Sequence, residues 1–124
     1  MKKAIIHEFD PVLYPVKLYI SITKNISGVN EKFCYYPLLK DIDFNDSCEA
    51  TTQLVKNKET GNIGVLIIFE NKKQCTAKNI AYESTHAARR IWDRINENAT
   101  GEEADAYLVG WIAECCWKVK LNKF

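Results

Sequence analysis

The hydrophobic pattern in the first part of the chain is typical of β-strands. Apolar residues at positions 16, 18, 20 and 22 alternate with other residues, and this period of two predicts a half-buried strand. Residues 50–57 and 63–69 flank a polar loop whose Gly and Asn favour a hairpin. The continuous apolar run 65–69 predicts a strand buried on both faces, whereas residues 25–46 give mixed signals.

From residue 76 onward the period becomes helical. Thr76 is a predicted N-cap for a helix that runs to about residue 96, and a second helix is predicted from about 100 to 119. Gly110 falls in the middle of the second helix, where Gly costs about 1 kcal/mol relative to Ala, so we expect the two helices to approach closely there. Strands followed by two helices predict an α+β fold, with a small antiparallel sheet and two packed C-terminal helices in a single domain, 1–124.

Composition excludes several classes of protein. Of the 124 residues 47% are hydrophobic and 27% are charged, which is an ordinary globular balance. Seventeen Lys and Arg oppose sixteen Asp and Glu, so the chain has no basic excess for nucleic acid, and we predict no nucleic-acid partner. The longest apolar run, 65–69, is too short to cross a bilayer, and residues 1–10 contain no signal-peptide core. We therefore expect a cytoplasmic protein without a membrane partner.

The five cysteines agree with a reducing compartment. Their number is odd, their spacing is irregular, and no C-x-x-C pair indicates a zinc knuckle or a redox site. We expect reduced and mostly buried thiols. The three tryptophans lie on the two predicted helices, and we expect them to pack in the core.

One segment of the first helix could carry chemistry. Residues 82–86 read Y-E-x-x-H, one residue away from the zinc motif H-E-x-x-H, in which two ligands four residues apart lie on one helical face. At about 100° per residue, Tyr82 and His86 fall about 40° apart, and Glu83 lies between them and the apolar stripe. The alternative is the solvated polar face of an ordinary amphipathic helix.

The second helix offers a possible third ligand. Glu103 lies in its first turn and could face His86 if that turn packs against the polar face of the first helix. Residues 100–103 also read as a capping box, in which Thr100 caps the helix and Glu103 bonds back to the Thr100 amide. The sequence leaves these two alternatives open.

Together these motifs resemble a family of small phage- and mobile-element-type proteins that look like minimal zincins of the gluzincin kind. In that family the motif reads H-E-x-T-H-x-A and is followed by E-x-x-A-Y-L-x-G-W. The resemblance covers most of the chain and rests on residues 79–88, 91–93, Glu103 and 106–112, with further likeness at 9–11, 14–18 and 64–67.

The resemblance implies that His86 and Glu103 are zinc ligands and that Glu83 is the general base. Tyr82 stands where the family has its first His, and a neutral phenol is a poor zinc ligand. His7 is the one other histidine that could replace the missing ligand.

Three functions follow as hypotheses. The first is a degenerate zincin-like pseudoenzyme that binds a peptide or protein partner, and the Tyr82 departure favours it. The second is an active zinc metallopeptidase that holds its substrate along an edge strand while Glu83 activates a zinc-bound water. The third is an interaction or inhibitor protein of a phage or mobile element, unrelated to hydrolysis.

Overall fold

The computed structural model describes residues 4–12, 14–43, 49–95 and 102–123. Its elements, in chain order, are β1 (His7–Phe9), β2 (Lys17–Ile22), α1 (Ile26–Lys32), β3 (Phe33–Tyr35), β4 (Ala50–Asn57), β5 (Ile63–Phe69), a 3₁₀ turn (Lys72–Gln74), α2 (Ala77–Arg94) and α3 (Glu102–Leu121). This order, strands first and two packed helices last, confirms the predicted α+β fold. No helix among the described residues is both long and apolar enough to cross a membrane.

The five strands form one sheet in the order β1-β2-β5-β4-β3. β4 and β5 pair as the predicted antiparallel hairpin, but β2 and β5 are parallel, so the sheet is mixed rather than wholly antiparallel. The parallel pairing of β2 with β5 depends on the path of the chain between them. After β2 the chain crosses to the far side of the sheet, where it forms β3 and β4, and the hairpin then inserts β5 beside β2. Local alternation carries no information about such a crossover.

β2 is buried on both faces, so the prediction of a half-buried strand is wrong. Leu18 and Ile20 face α2 and α3 in the larger core cluster. Tyr19, on the other face, is only 1% exposed and packs in a second cluster with residues from α1 and from the N-terminal segment. Because β2 lies inside the sheet between β1 and β5, layers on both sides cover it.

The first long helix begins where the sequence predicts. The Thr76 side chain accepts a hydrogen bond from the Asn79 amide at 3.1 Å, which confirms the N-cap. α2 buries Ile80, Ala87 and Ile91 against the sheet, and it packs over β4 and β5 while α3 lies over β2. The predicted break between the helices, and the Thr100 cap, lie outside the described residues.

Two expectations for α3, the close helix packing at Gly110 and the burial of Trp117, are wrong. Gly110 does not mediate close helix packing: it is exposed, and a Cβ atom built on it meets nothing within 4 Å. Trp92 is buried, as expected for a core aromatic, but Trp117 is 46% exposed. Both misplaced residues belong to the side of α3 that faces away from α2 and the sheet.

The described cysteines are free thiols, and all four are buried: Cys34, Cys75, Cys115 and Cys116. This confirms the expectation for them, while Cys48 lies outside the described residues. Burial raises the pKa of the Cys115 thiol to about 11 and that of Cys116 to about 12, so both stay protonated at neutral pH.

Candidate functional site

Tyr82 and His86 lie together on the solvent face of α2. Their rings contact edge to face, with centroids 4.6 Å apart and an interplanar angle of 82°. Both side chains are exposed, and Tyr82 retains 61% of its accessible surface. The helical periodicity therefore predicts their proximity correctly.

Glu83 points the other way, into the protein. It is only 6% exposed, and the Thr52 hydroxyl of β4 donates a hydrogen bond of 2.7 Å to its carboxylate Oε1. Thr52 is itself buried, on the face of β4 that meets α2. The carboxylate proposed as a general base is therefore held against the sheet, on a different side of α2 from the Tyr82–His86 pair.

Glu103, at the start of α3, lies beside the C-terminal part of α2, whereas His86 is in the middle of α2. Two contacts fix the register of the helices: Trp92 Nε1 donates to Asp105 Oδ1 at 3.0 Å, and Arg89 lies 3.8 Å from Asp105 Oδ2. Since α3 runs back along α2, Glu103 and His86 are offset by roughly 10 Å along the helix axes. The described ranges contain no group of three His, Cys, Asp or Glu side chains that could hold a metal ion.

His7 lies on the edge strand β1, where it pairs with Ile20 of β2. Three strand spacings separate β1 from β4, which carries the partner of Glu83, and this corresponds to roughly 14 Å. Partial burial lowers the pKa of His7. The structure thus brings Tyr82 to His86 and Glu83 to Thr52, but it brings neither Glu103 nor His7 to them. The zinc site stays a prediction.

A groove lies on the outer face of α3, and we call it the α3 groove. Its first depression, of about 450 Å³, lies between α3 and the segment that precedes β2, and its lining is mostly apolar: Asp10, Pro11, Val12, Tyr14, Ala104, Tyr107, Leu108 and Trp111. Its second depression, of about 480 Å³, continues along α3 and is lined by Glu103, Ala106, Tyr107, Gly110, Trp111 and Glu114. The two depressions share two aromatic residues, so they form one continuous surface.

Several large side chains of the α3 groove are unusually open to solvent. Tyr107 is 77% exposed and Val12 is 84% exposed. Tyr14 supports the groove from behind, because its ring contacts Trp92 edge to face at 5.4 Å. Gly110 adds no side chain, so the floor of the second depression stays open. Contiguous exposed apolar surface of this kind is typical of a binding site.

The segment that forms the near wall of the groove is held by Asp10. Its Oδ1 accepts a hydrogen bond from the Val12 amide at 2.9 Å, and its Oδ2 lies 3.1 Å from Lys17 Nζ. The Lys17 contact and the Val12 bond hold the pKa of the Asp10 carboxyl below its ordinary value. Val12 has a positive φ of 52°, which is unusual for a β-branched residue. An exposed apolar side chain is thus presented on a strained backbone.

Carboxylates surround the apolar floor. Glu103 and Glu114 line the second depression, and both are exposed. Glu114 lies 3.8 Å from Lys118, whereas Glu103 has no ion pair within the described residues. The groove therefore combines aromatic surface with an acidic edge.

Sequence reasoning missed this groove. Tyr107 and Trp111 were visible in the helical pattern, but which of them would face a neighbour depends on where the segment before β2 folds back. Thr52 was missed too. Because side chains alternate along β4, Thr52 points to the same face of the sheet as Leu54 and to the other face from Gln53, and this alternation was the available signal.

No family model, no curated protein and no solved structure matches this chain. Function is therefore inferred from the geometry and chemistry of its own side chains.

Proposed function

We propose that this protein is a binding module that recognises a peptide or protein segment in the α3 groove without hydrolysing it. The observation that carries the proposal is the pair of adjoining depressions around Tyr107 and Trp111. Aromatic residues at the centre of a concave apolar surface are the usual energetic centre of a protein interface.

The chemistry of the groove selects the kind of segment. Each depression is large enough for one bulky side chain, and their shared wall at Tyr107 would separate two such side chains of a single chain. Glu103, which has no ion pair among the described residues, and the exposed Glu114 favour cationic groups beside them. The expected partner is a segment with two apolar or aromatic side chains and with flanking Lys or Arg.

The placement of Glu83 supports binding without hydrolysis. A general base must reach the water that it deprotonates, whereas this carboxylate is buried and accepts the Thr52 hydroxyl hydrogen bond. The two other residues assigned to the zinc site, His86 and Glu103, are offset along the helix pair. A non-catalytic descendant of a zincin-like scaffold fits these positions, and so does an interaction protein that never had the activity.

The test is direct binding of designed peptides. Fluorescently labelled peptides that carry two aromatic residues flanked by Lys are compared by anisotropy with the same peptides in which Glu replaces Lys. We expect the Lys series to bind and the Glu series to bind at least about tenfold more weakly. Because Tyr107 is so exposed, Tyr107→Ser should leave folding intact yet weaken binding about 30-fold.

Tyr82→Ser is the matched control, because it removes an exposed aromatic residue from α2, outside the groove. Equal affinity of the Tyr107→Ser and Tyr82→Ser proteins, or no binding of either peptide series, would refute the assignment of the groove. Mass spectrometry of the peptides, after incubation with the protein and zinc, tests the claim that the protein does not hydrolyse them. Cleavage that disappears in Glu83→Gln would restore the metallopeptidase hypothesis.

A further inference from the structure

A separate depression lies on the opposite face of the sheet, away from α2 and α3. It has a volume of about 190 Å³ and is lined by Ile6, Glu8, Tyr19, Glu31, Lys32, Phe33, Asn57 and Glu59. Five elements meet here, since the lining comes from β1, β2, the end of α1, the start of β3, and the end of β4. It does not overlap with the α3 groove and is independent of the proposed function.

The base of this depression contains a buried hydroxyl that has no partner. The Tyr19 side chain is 1% exposed and its ring packs against Phe33 at 4.7 Å. It also lies over Gly64, where an added Cβ would come within 2.5 Å of the Tyr19 ring. The Tyr19 hydroxyl makes no hydrogen bond within the described residues. Such groups are rare in folded proteins because their desolvation is uncompensated.

The Asn57 side chain does not satisfy the Tyr19 hydroxyl. Burial raises the pKa of Tyr19 and the nearby Asn57 amide partly opposes this rise, but the two side chains do not meet hydrogen-bonding geometry. The Asn57 carbonyl Oδ1 already accepts the amides of Glu59 and Thr60, at 2.9 and 3.1 Å. The Tyr19 O–H therefore lacks an oxygen acceptor.

Negative charge surrounds the same depression. Glu8, Glu31 and Glu59 are exposed, and none of them has an ion pair within 4 Å in the described part of the chain, while Lys32 is the cation in the lining. Their carboxylates do not converge closely enough to form a metal site. A protonated amine, which donates several charge-assisted N–H hydrogen bonds and does not need tight convergence of its acceptors, suits this arrangement better than a metal ion.

We propose that this depression binds a small ligand in which a protonated amine adjoins an oxygen acceptor. The amine would lie among the three carboxylates, and the oxygen would accept the hydrogen bond of the Tyr19 hydroxyl. A free α-amino acid and the amino terminus of a peptide share this chemistry. The depression, of about 190 Å³, is small enough to select a ligand no larger than one amino-acid unit.

Four small-molecule probes test separately whether the protonated amine and the oxygen acceptor contribute to binding. Chemical-shift titration of the ¹⁵N-labelled protein compares alaninamide and alanine, which carry both groups, with ethylamine, which lacks the oxygen, and acetamide, which lacks the charge. We expect shifts confined to residues of the depression, with alaninamide or alanine binding at least about tenfold more tightly than ethylamine and acetamide. Tighter binding of alaninamide indicates a peptide amino terminus, and tighter binding of alanine indicates a free amino acid.

Tyr19→Phe is the decisive variant. It removes only the hydroxyl, and since that group has no partner among the described residues, the melting temperature should not fall. Affinity for the better probe should fall about tenfold, to the level of ethylamine. Glu59→Gln should also weaken binding, whereas Glu102→Gln, which removes an exposed charge on α3, should not.

Three results would overturn the proposal. The first is that none of the four probes shifts the residues of the depression. The second is that Tyr19→Phe binds the better probe as tightly as the native protein does. The third is that Glu59→Gln and Glu102→Gln have equal effects, which would assign binding to general charge.

Discussion

Gly110 is a position at which one methyl group should stabilise the protein. It lies in the middle of the 20-residue helix α3 and is exposed, and the Cβ of an alanine there would meet no atom within 4 Å. Gly110→Ala therefore introduces no clash and only restricts the unfolded chain. The expected gain in the free energy of unfolding is about 0.4–1 kcal/mol. For a chain of 124 residues this corresponds to roughly 2–4 °C in melting temperature.

Gly64→Ala is the matched variant with the opposite sign. A Cβ at this position of β5 would come within 2.5 Å of the Tyr19 ring and 2.8 Å of the Lys17 carbonyl oxygen. Both contacts are far inside van der Waals distance, and one of them is with backbone that cannot turn away. Overpacking of this kind costs about 1–3 kcal/mol.

Thermal and urea unfolding, followed by circular dichroism, measure both variants under identical conditions. A higher melting temperature for Gly110→Ala and a lower one for Gly64→Ala are expected. If Gly110→Ala destabilises the protein, then Gly110 packs against another element, as the sequence analysis expected, and its placement on the open face of α3 is incorrect. In that case the second depression of the α3 groove would also lose its floor.

Three other predictions concern side chains of β4, α3 and α2. Thr52→Val removes the hydroxyl that donates to Glu83, and it should lower the free energy of unfolding by about 1–3 kcal/mol in urea titrations; an unchanged value would contradict that bond. Burial raises the pKa of the Cys116 thiol to about 12 in the folded state, whereas an unfolded thiol has a pKa of about 8.5. The unfolded chain therefore releases this proton first, and the free energy of unfolding should fall as pH rises above about 9, by up to about 1.4 kcal/mol per pH unit. Cys116→Ala should flatten that slope, and a slope identical to that of the native protein would show that other groups cause it. Tyr82→His places two imidazoles on the exposed face with His86, and elemental mass spectrometry should find well under one zinc per chain after dialysis; one retained zinc would mean that a third ligand reaches this face.

The helices were predictable because their signals are local. The Thr76 cap and the spacing of Ile80, Ala87 and Ile91 depend only on residues within a few turns, and the structure contains both. β2 shows the limit of this reasoning. Its alternation is real, but burial of Tyr19 on the second face depends on α1 and on the N-terminal segment, and nothing in the local pattern shows that both fold back over that face.

Some features of the candidate site could also be predicted from local sequence, and others could not. The contact between Tyr82 and His86 follows from helical geometry alone. The orientation of Glu83 does not, because it lies at the border of the apolar stripe and its direction is decided by Thr52 on a distant strand. The α3 groove was beyond prediction for a related reason, since its near wall comes from a segment that adopts no regular structure.

The geometry of α2 decides how much free energy it would cost to move Glu83 out of the core and into solvent. Turning α2 until Glu83 takes the solvent-facing direction that Tyr82 now has would require a rotation of about 100°, and this would carry Ile80 and Ile91 out of the core. Exposing two isoleucines costs about 3–6 kcal/mol, a large share of the 5–15 kcal/mol that typically stabilises a domain. Turning only the side chain breaks the 2.7 Å hydrogen bond from Thr52 and leaves that buried hydroxyl with only the longer 3.4 Å contact to the Glu83 carbonyl oxygen. The folded state therefore favours a buried Glu83, while Tyr82 and His86 remain on the solvent face of α2.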